Sequence, residues 1–186
     1  MVRQVCPLLP HDLPHSPDLL VSAEYVWSEE GILELSYSLR PRRPDCDLQG
    51  LAWPQYGLNS PSGQRKDRLW EHSCFEAFLG LPGSPMYWEL NISPSGQWNL
   101  YEFESYRQRS SGLVGASPPK VNMRRTPRDC RCDVVLDLRP WWPTPSMPEL
   151  GLTAVIEDKS GQLSYWALSH PADDADFHDR RSFLNC

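Results

Sequence analysis

The sequence predicts an all-β protein, an antiparallel β-sandwich of two packed sheets, and three observations carry that expectation. Proline fills 19 of 186 positions and is spread along the chain, which works against long helices because its ring removes a backbone donor and clashes with the preceding turn. Short runs of β-type residues recur between clusters of Pro, Gly, Asn and Ser, and no stretch keeps apolar residues at i, i+3, i+4, i+7 for three turns. Eight Trp and seven Tyr bring large buried area to a chain that is only 40% hydrophobic, so the core should be rich in rings. The length suits one core, and residues 1–186 are read as a single domain.

Nine strands are expected: Leu19–Trp27, Ile32–Leu39, Leu48–Trp53, Cys74–Leu79, Met86–Ile92, Gln97–Phe103, Cys130–Leu138, Leu152–Glu157 and Ser164–Leu168. Nine runs at this spacing match a sandwich. Glu29-Glu30-Gly31 and Lys159-Ser160-Gly161 divide pairs of runs as hairpin turns do, with glycine where φ must be positive. Gln108–Pro119 shows no pattern and reads as a surface loop.

The hairpin over Met86–Phe103 is the most legible part. Ser93-Pro94-Ser95-Gly96 suits a three-residue connection in which Pro94 opens the turn and Gly96 is left-handed. Ser93 then opposes Gln97, which places Trp88, Leu90, Ile92, Trp98 and Leu100 on one face, the core face. The other face carries Tyr87, Glu89 and Asn91 opposite Phe103, Tyr101 and Asn99. That face is either solvated or a binding surface.

A formal charge of −6 and a pI near 5.3 argue against nucleic-acid or anionic-membrane partners, which need clustered Lys and Arg. No apolar run approaches the ~20 residues of a membrane span, and the N-terminus lacks the pattern of a secretory signal, so the expected location is the cytoplasm. Six cysteines without a C-x-x-C pair are expected as free thiols in that reducing compartment. Cys130 and Cys132 alternate onto one side of a strand, the geometry of two packed core residues more than of half a metal site.

Glu76 sits inside an apolar row of a run that looks central, with Phe75, Ala77 and Leu79 on one side and Cys74 and Phe78 on the other. A buried carboxyl needs a partner, an ion pair before a ligand. His72, His170 and His178 match no zinc spacing, and P-loop, G-x-S-x-G and G-x-G-x-x-G motifs are absent, so no enzyme is expected. Asp173-Asp174-Ala175-Asp176 lacks the spacing and glycine of a calcium loop and reads as solvated.

The run Arg68-Leu69-Trp70-Glu71-His72-Ser73-Cys74-Phe75-Glu76-Ala77-Phe78-Leu79-Gly80, then Tyr87-Trp88-Glu89-Leu90-Asn91-Ile92-Ser93-Pro94-Ser95-Gly96, resembles the DOMON-like proteins related to family 9 carbohydrate-binding modules. The closing Tyr165–His170 and Asp176-Phe177-His178 are similar to that group's last strand and tail. The resemblance implies a β-sandwich that holds a sugar or, in cytochrome-type relatives, haem, without catalysing a reaction. The acidic residue of the group's strand maps onto Glu76. Glu71-His72 departs from the pattern of secreted sugar modules and points to a small soluble sugar or nucleotide sugar.

The expected function is therefore non-catalytic binding of a small-molecule ligand, a sugar first. Trp70, Glu71, His72, Glu76, Glu89, Asn91, Arg107 and His170 are expected to line the site, with no resident cofactor. The alternatives are haem or a divalent cation held by His72, His170 or His178, and a protein-interaction module that uses a sheet edge.

Overall fold

The protein is described by a computed structural model covering residues 1–12, 16–28, 30–53, 63–112 and 114–184. Eleven strands form in chain order: β1 (Val2–Pro10), β2 (Leu19–Trp27), β3 (Ile32–Pro41), β4 (Cys74–Gly80), β5 (Tyr87–Ile92), β6 (Trp98–Ser105), β7 (Gln108–Arg109), β8 (Lys120–Arg125), β9 (Cys130–Asp137), β10 (Glu149–Glu157) and β11 (Leu163–Ala167). They join in one antiparallel ladder, β7-β6-β5-β4-β10-β11-β1-β2-β3-β9-β8.

The ladder folds back on itself at β1. Val2–Leu8 pair with β2, whereas Leu9 and Pro10 pair with β11. The first sheet runs β7 to β11 and the second β1 to β8. The two pack face to face through rings, with Tyr37 of β3 stacked on Phe75 of β4 at 5.1 Å and 26° between planes. The Tyr37 hydroxyl donates to the Glu76 carbonyl across the interface at 2.5 Å.

Alternation puts the inner residues of each strand in one core: Leu33, Leu35 and Leu39 from β3, Phe75, Ala77 and Leu79 from β4, Leu150, Leu152 and Ala154 from β10. Cys130 and Cys132 are fully buried in the same core, as the packing reading expected. Among the described residues no helix is long and apolar enough to cross a membrane.

Eight of the nine expected strands form at the expected places. Leu48–Trp53 does not: Leu48 and Leu51 are buried as loop plugs, and only Leu51 makes a bridge, to Asp158. Three strands lay outside the expectation. β1 carries Pro7 and Pro10 and alternates poorly, yet Val2–Leu8 has a ladder partner on one side only, where proline is tolerated. β8 is a mostly exposed edge strand, with little apolar signal to read. β7 occupies two residues of the expected Gln108–Pro119 loop, and Val114 beyond it buries its side chain while its carbonyl accepts from Arg65.

The β5–β6 hairpin has the register deduced from its turn. Ile92 opposes Trp98, Leu90 opposes Leu100 and Glu89 opposes Tyr101. Gly96 has φ 81°, and the Ser93 and Gln97 backbones pair at 2.8 Å. Gly31 and Gly161 likewise take positive φ; Glu29 lies outside the described residues.

Candidate functional site

The face of the first sheet turned away from the core is not left to water. Cys74, Glu76 and Phe78 of β4 share it with Tyr87, Glu89 and Asn91 of β5 and with Tyr101 and Phe103 of β6, because paired residues of neighbouring strands point the same way. Thr153 and Val155 of β10 and Tyr165 of β11 continue it. The C-terminal segment crosses back over these strands. Phe183 lies on Gly151, where a Cβ would stand 2.6 Å from the ring, so the absent side chain lets the tail dock. Leu184 closes the contact by exchanging backbone hydrogen bonds with Leu150.

Between the tail, the turn Leu69–Glu71 and the β6–β7 turn, the covered face retains a cavity of about 540 Å³. Its floor is Glu76 and Glu89, 2% and 6% exposed. Asn91 lies beneath, fully buried, and donates to Glu89 Oε1 at 2.7 Å. Thr153 donates to Glu76 Oε2 at 3.3 Å, while Glu76 Oε1 has no hydrogen-bond partner.

Three pairs of rings wall this floor. Trp70 meets Tyr101 edge-on at 5.7 Å, and Tyr165 meets Phe177 at 6.0 Å. Phe78 and Phe103 each contact the imidazole of His178 at 5.1 Å. Two guanidiniums sit at the mouth. Arg107 donates to Asp176 at 2.8 Å, and Arg109 lies 3.9 Å over the Tyr101 ring with Asp67 at 3.7 Å. Arg107 takes φ 54°, a conformation unusual without glycine, and its N–H donates to the Tyr87 hydroxyl at 3.0 Å.

Burial controls the charge states here. It pushes Glu89 up to about 7, against the Asn91 hydrogen bond and the Arg109 and Arg107 charges that favour ionisation. Burial, then the neighbouring Glu89 charge, drive Glu76 well above the usual carboxylate range; Thr153 and the weakly donating Cys74 thiol oppose them without prevailing. Two acids side by side in a low-dielectric floor retain protons near neutrality. His178 is pushed down to about 4 by burial and then by Arg107, so its ring is neutral.

Five of the eight expected site residues line the cavity: Trp70, Glu71, Glu76, Glu89 and Arg107. Asn91 reaches it only through Glu89. His72 is turned outward and pairs with Glu157 at 2.9 Å, because the short turn before β4 presents Trp70 and not His72 to the cavity. His170 is held by the Leu9 carbonyl at 2.9 Å and by the His11 ring, beside β1. The ion pair expected for Glu76 is not found among the described residues; its neighbours are Thr153, Cys74 and another acid.

Sequence reasoning placed Tyr101 and Phe103 on this face without choosing them. It passed over Arg109, Tyr165 and Phe177, and gave His178 only a metal or haem role. The pairing of Tyr165 with Val155 in an alternating strand was the available signal; Phe177 and His178, in an irregular tail, had only the resemblance of Asp176-Phe177-His178 to the DOMON-like tail. The three histidines offered for haem or metal are dispersed, and the half-buried His178 already engages Tyr87 through Nδ1. Among the described residues no three His, Cys, Asp or Glu are grouped to hold a metal ion. The residues present do not fit either group.

No family model matches the chain, and no curated protein matches its sequence. One solved structure does match in shape: a crystal structure described as that of a "putative carbohydrate-binding protein" from Bacteroides uniformis. The two superpose with a TM-score of 0.60 at 12% identity, over 97% of this chain and 84% of the other. What they share is the fold. At this identity the likeness covers the whole arrangement of strands and no individual site residue.

Proposed function

We propose that this chain is a non-catalytic binding protein for a carbohydrate or sugar derivative, taken into the cavity between the first sheet and the tail. The observation that carries this reading is a set of ring walls around a floor of two carboxyl groups, one of them backed by the Asn91 amide. Sugar C–H faces pack on rings, and hydroxyls need donors and acceptors beside them. The cavity volume lies within the ~300–1,000 Å³ of ordinary small-molecule sites. The carbohydrate-binding description of the structural neighbour and the resemblance to DOMON-like and family 9 modules support the same reading. A soluble cytoplasmic sugar or nucleotide sugar is the form of ligand proposed.

Calorimetric titration with mono- and disaccharides and nucleotide sugars tests it. At least one should bind, and Trp70→Ala, which removes a 37%-exposed ring, should weaken that binding roughly 5–30-fold, the loss of a ~1–2 kcal/mol stacking contact, with little change in Tm. No binding across the panel, or binding indifferent to both Trp70→Ala and Tyr165→Ala, overturns it.

Glu89 favours a second reading. A buried carboxyl raised to about 7 beside another acid also suits a general acid of glycoside hydrolysis. Turnover of chromogenic glycosides by the wild type, abolished in Glu89→Gln, would replace binding with catalysis.

A further inference from the structure

Among the described residues no Lys or Arg forms an ion pair with Glu76 or Glu89, the partner that buried acids ordinarily have. Two guanidiniums line the same cavity, yet Arg107 is tied to Asp176 and Arg109 to Asp67 and the Tyr101 ring. The basic group closest to Glu89 among the described residues is His178, whose Nε2 lies 3.8 Å from Oε2. That ring is held neutral by burial and by the Arg107 charge, with Nδ1 facing the Tyr87 hydroxyl. Glu76 is farther from help still: it is 2% exposed, borders the cavity, and its Oε1 is unpartnered.

Around these acids stand the faces and edges of Trp70, Tyr101, Phe78, Phe103, Tyr165 and Phe177. Aromatic walls over a carboxylate floor are the arrangement that recognises an organic ammonium: ring faces attract the cation while the acids accept its N–H groups. A neutral hydroxyl would satisfy Glu76 Oε1 but would leave the pair with no counter-charge once ionised. An ammonium meets both requirements, and on binding it takes the place of a proton held by the pair.

We propose that the ligand is a cationic sugar derivative, an amino sugar, whose ammonium group docks on the Glu76–Glu89 floor and displaces a proton from it. This rests on the sugar reading above. The exchange balances: one positive charge enters as the ammonium and one leaves as the proton. Besides the two acids, the charged and titratable groups facing the floor are His178 from the tail, Arg107 from the β6–β7 turn, Arg109 from β7, Tyr101 from β6, Tyr165 from β11, Glu71 from the turn before β4 and Cys74 from β4.

Calorimetry at pH 6.5 in two buffers of different ionisation heat separates the possibilities, using glucosamine, N-acetylglucosamine, glucose and benzylammonium on the full chain. Glucosamine should bind at least tenfold more tightly than its N-acetyl derivative and glucose, with release of about half to one proton. Glu76→Gln and Glu89→Gln, whose folding is checked by thermal melting, should each erase most of that preference together with the proton release. If glucosamine shows no advantage over the neutral sugars, or releases no proton, the ammonium inference falls and the sugar reading stands. If benzylammonium alone binds, with proton release lost in Glu76→Gln, the cation site stands and the sugar reading falls. Failure of all four ligands overturns both.

Discussion

The hydroxyl of Tyr87 lies 2.8 Å from Nδ1 of His178, and the same oxygen accepts the N–H of Arg107 at 3.0 Å. Among the described residues Nδ1 is the acceptor that the hydroxyl's own proton reaches, which assigns the hydroxyl as donor. His178 therefore carries its proton on Nε2, which faces Glu89. A strand residue, a turn and a tail residue about 90 positions away are thus locked by one hydroxyl. The Glu89 carboxyl and the His178 ring respond to pH in opposite directions.

Glu89 titrates at about 7 in the folded protein, against 4.5 for a free glutamate. Its raised value means that the stability present below about pH 4.5 is lost as pH rises to about 7. One unit corresponds to ~1.4 kcal/mol, so the loss approaches ~3 kcal/mol. Urea unfolding should show Glu89→Gln gaining on the wild type between pH 5 and 7.5. An unchanged difference across that range would contradict the burial argument.

His178 has the reverse sign. Its folded-state value of about 4 lies below the free value of 6.5, so stability is present above about pH 6.5 and lost as pH falls toward 4. His178→Asn keeps an acceptor for Tyr87 and removes the titration. It should be less stable than the wild type at pH 7.5 and approach it at pH 4.5, by up to ~3 kcal/mol of change.

Gly151→Ala should loosen the tail. The new methyl would stand 2.6 Å from Phe183 and 3.1 Å from the Phe78 Cβ, and overpacking of this kind costs ~1–3 kcal/mol. Limited proteolysis should then cut near the C-terminus, and Phe183→Leu in the same chain should restore part of the protection. An uncut tail would show that Phe183 moves aside freely.

Tyr37→Phe serves as a test of the sheet interface. It deletes the bond to the Glu76 carbonyl inside the core while keeping the ring stack on Phe75, and because Glu76 lies within the ladder between β10 and β5, losing this additional donor should cost ~0.5–1.5 kcal/mol. Ligand affinity, measured by calorimetry, should stay within about twofold because the hydroxyl lies on the core side of β4.

What the sequence determined by itself was local. The Pro94–Gly96 turn fixes the register of β5 on β6, since a three-residue connection allows one pairing, and that register alone divides Leu90 from Glu89. Apolar neighbours on both sides of Glu76 were enough to place it in a central strand. Tertiary structure decided the rest. The carboxyls became a covered floor only because residues some 90 positions later, Phe177, His178 and Phe183, fold back over the sheet, and nothing periodic announces an irregular tail. Glu76 was left without an ion pair for the same kind of reason. Which arginine meets which acid depends on where turns end in space, and there Asp176 and Asp67 took Arg107 and Arg109 first.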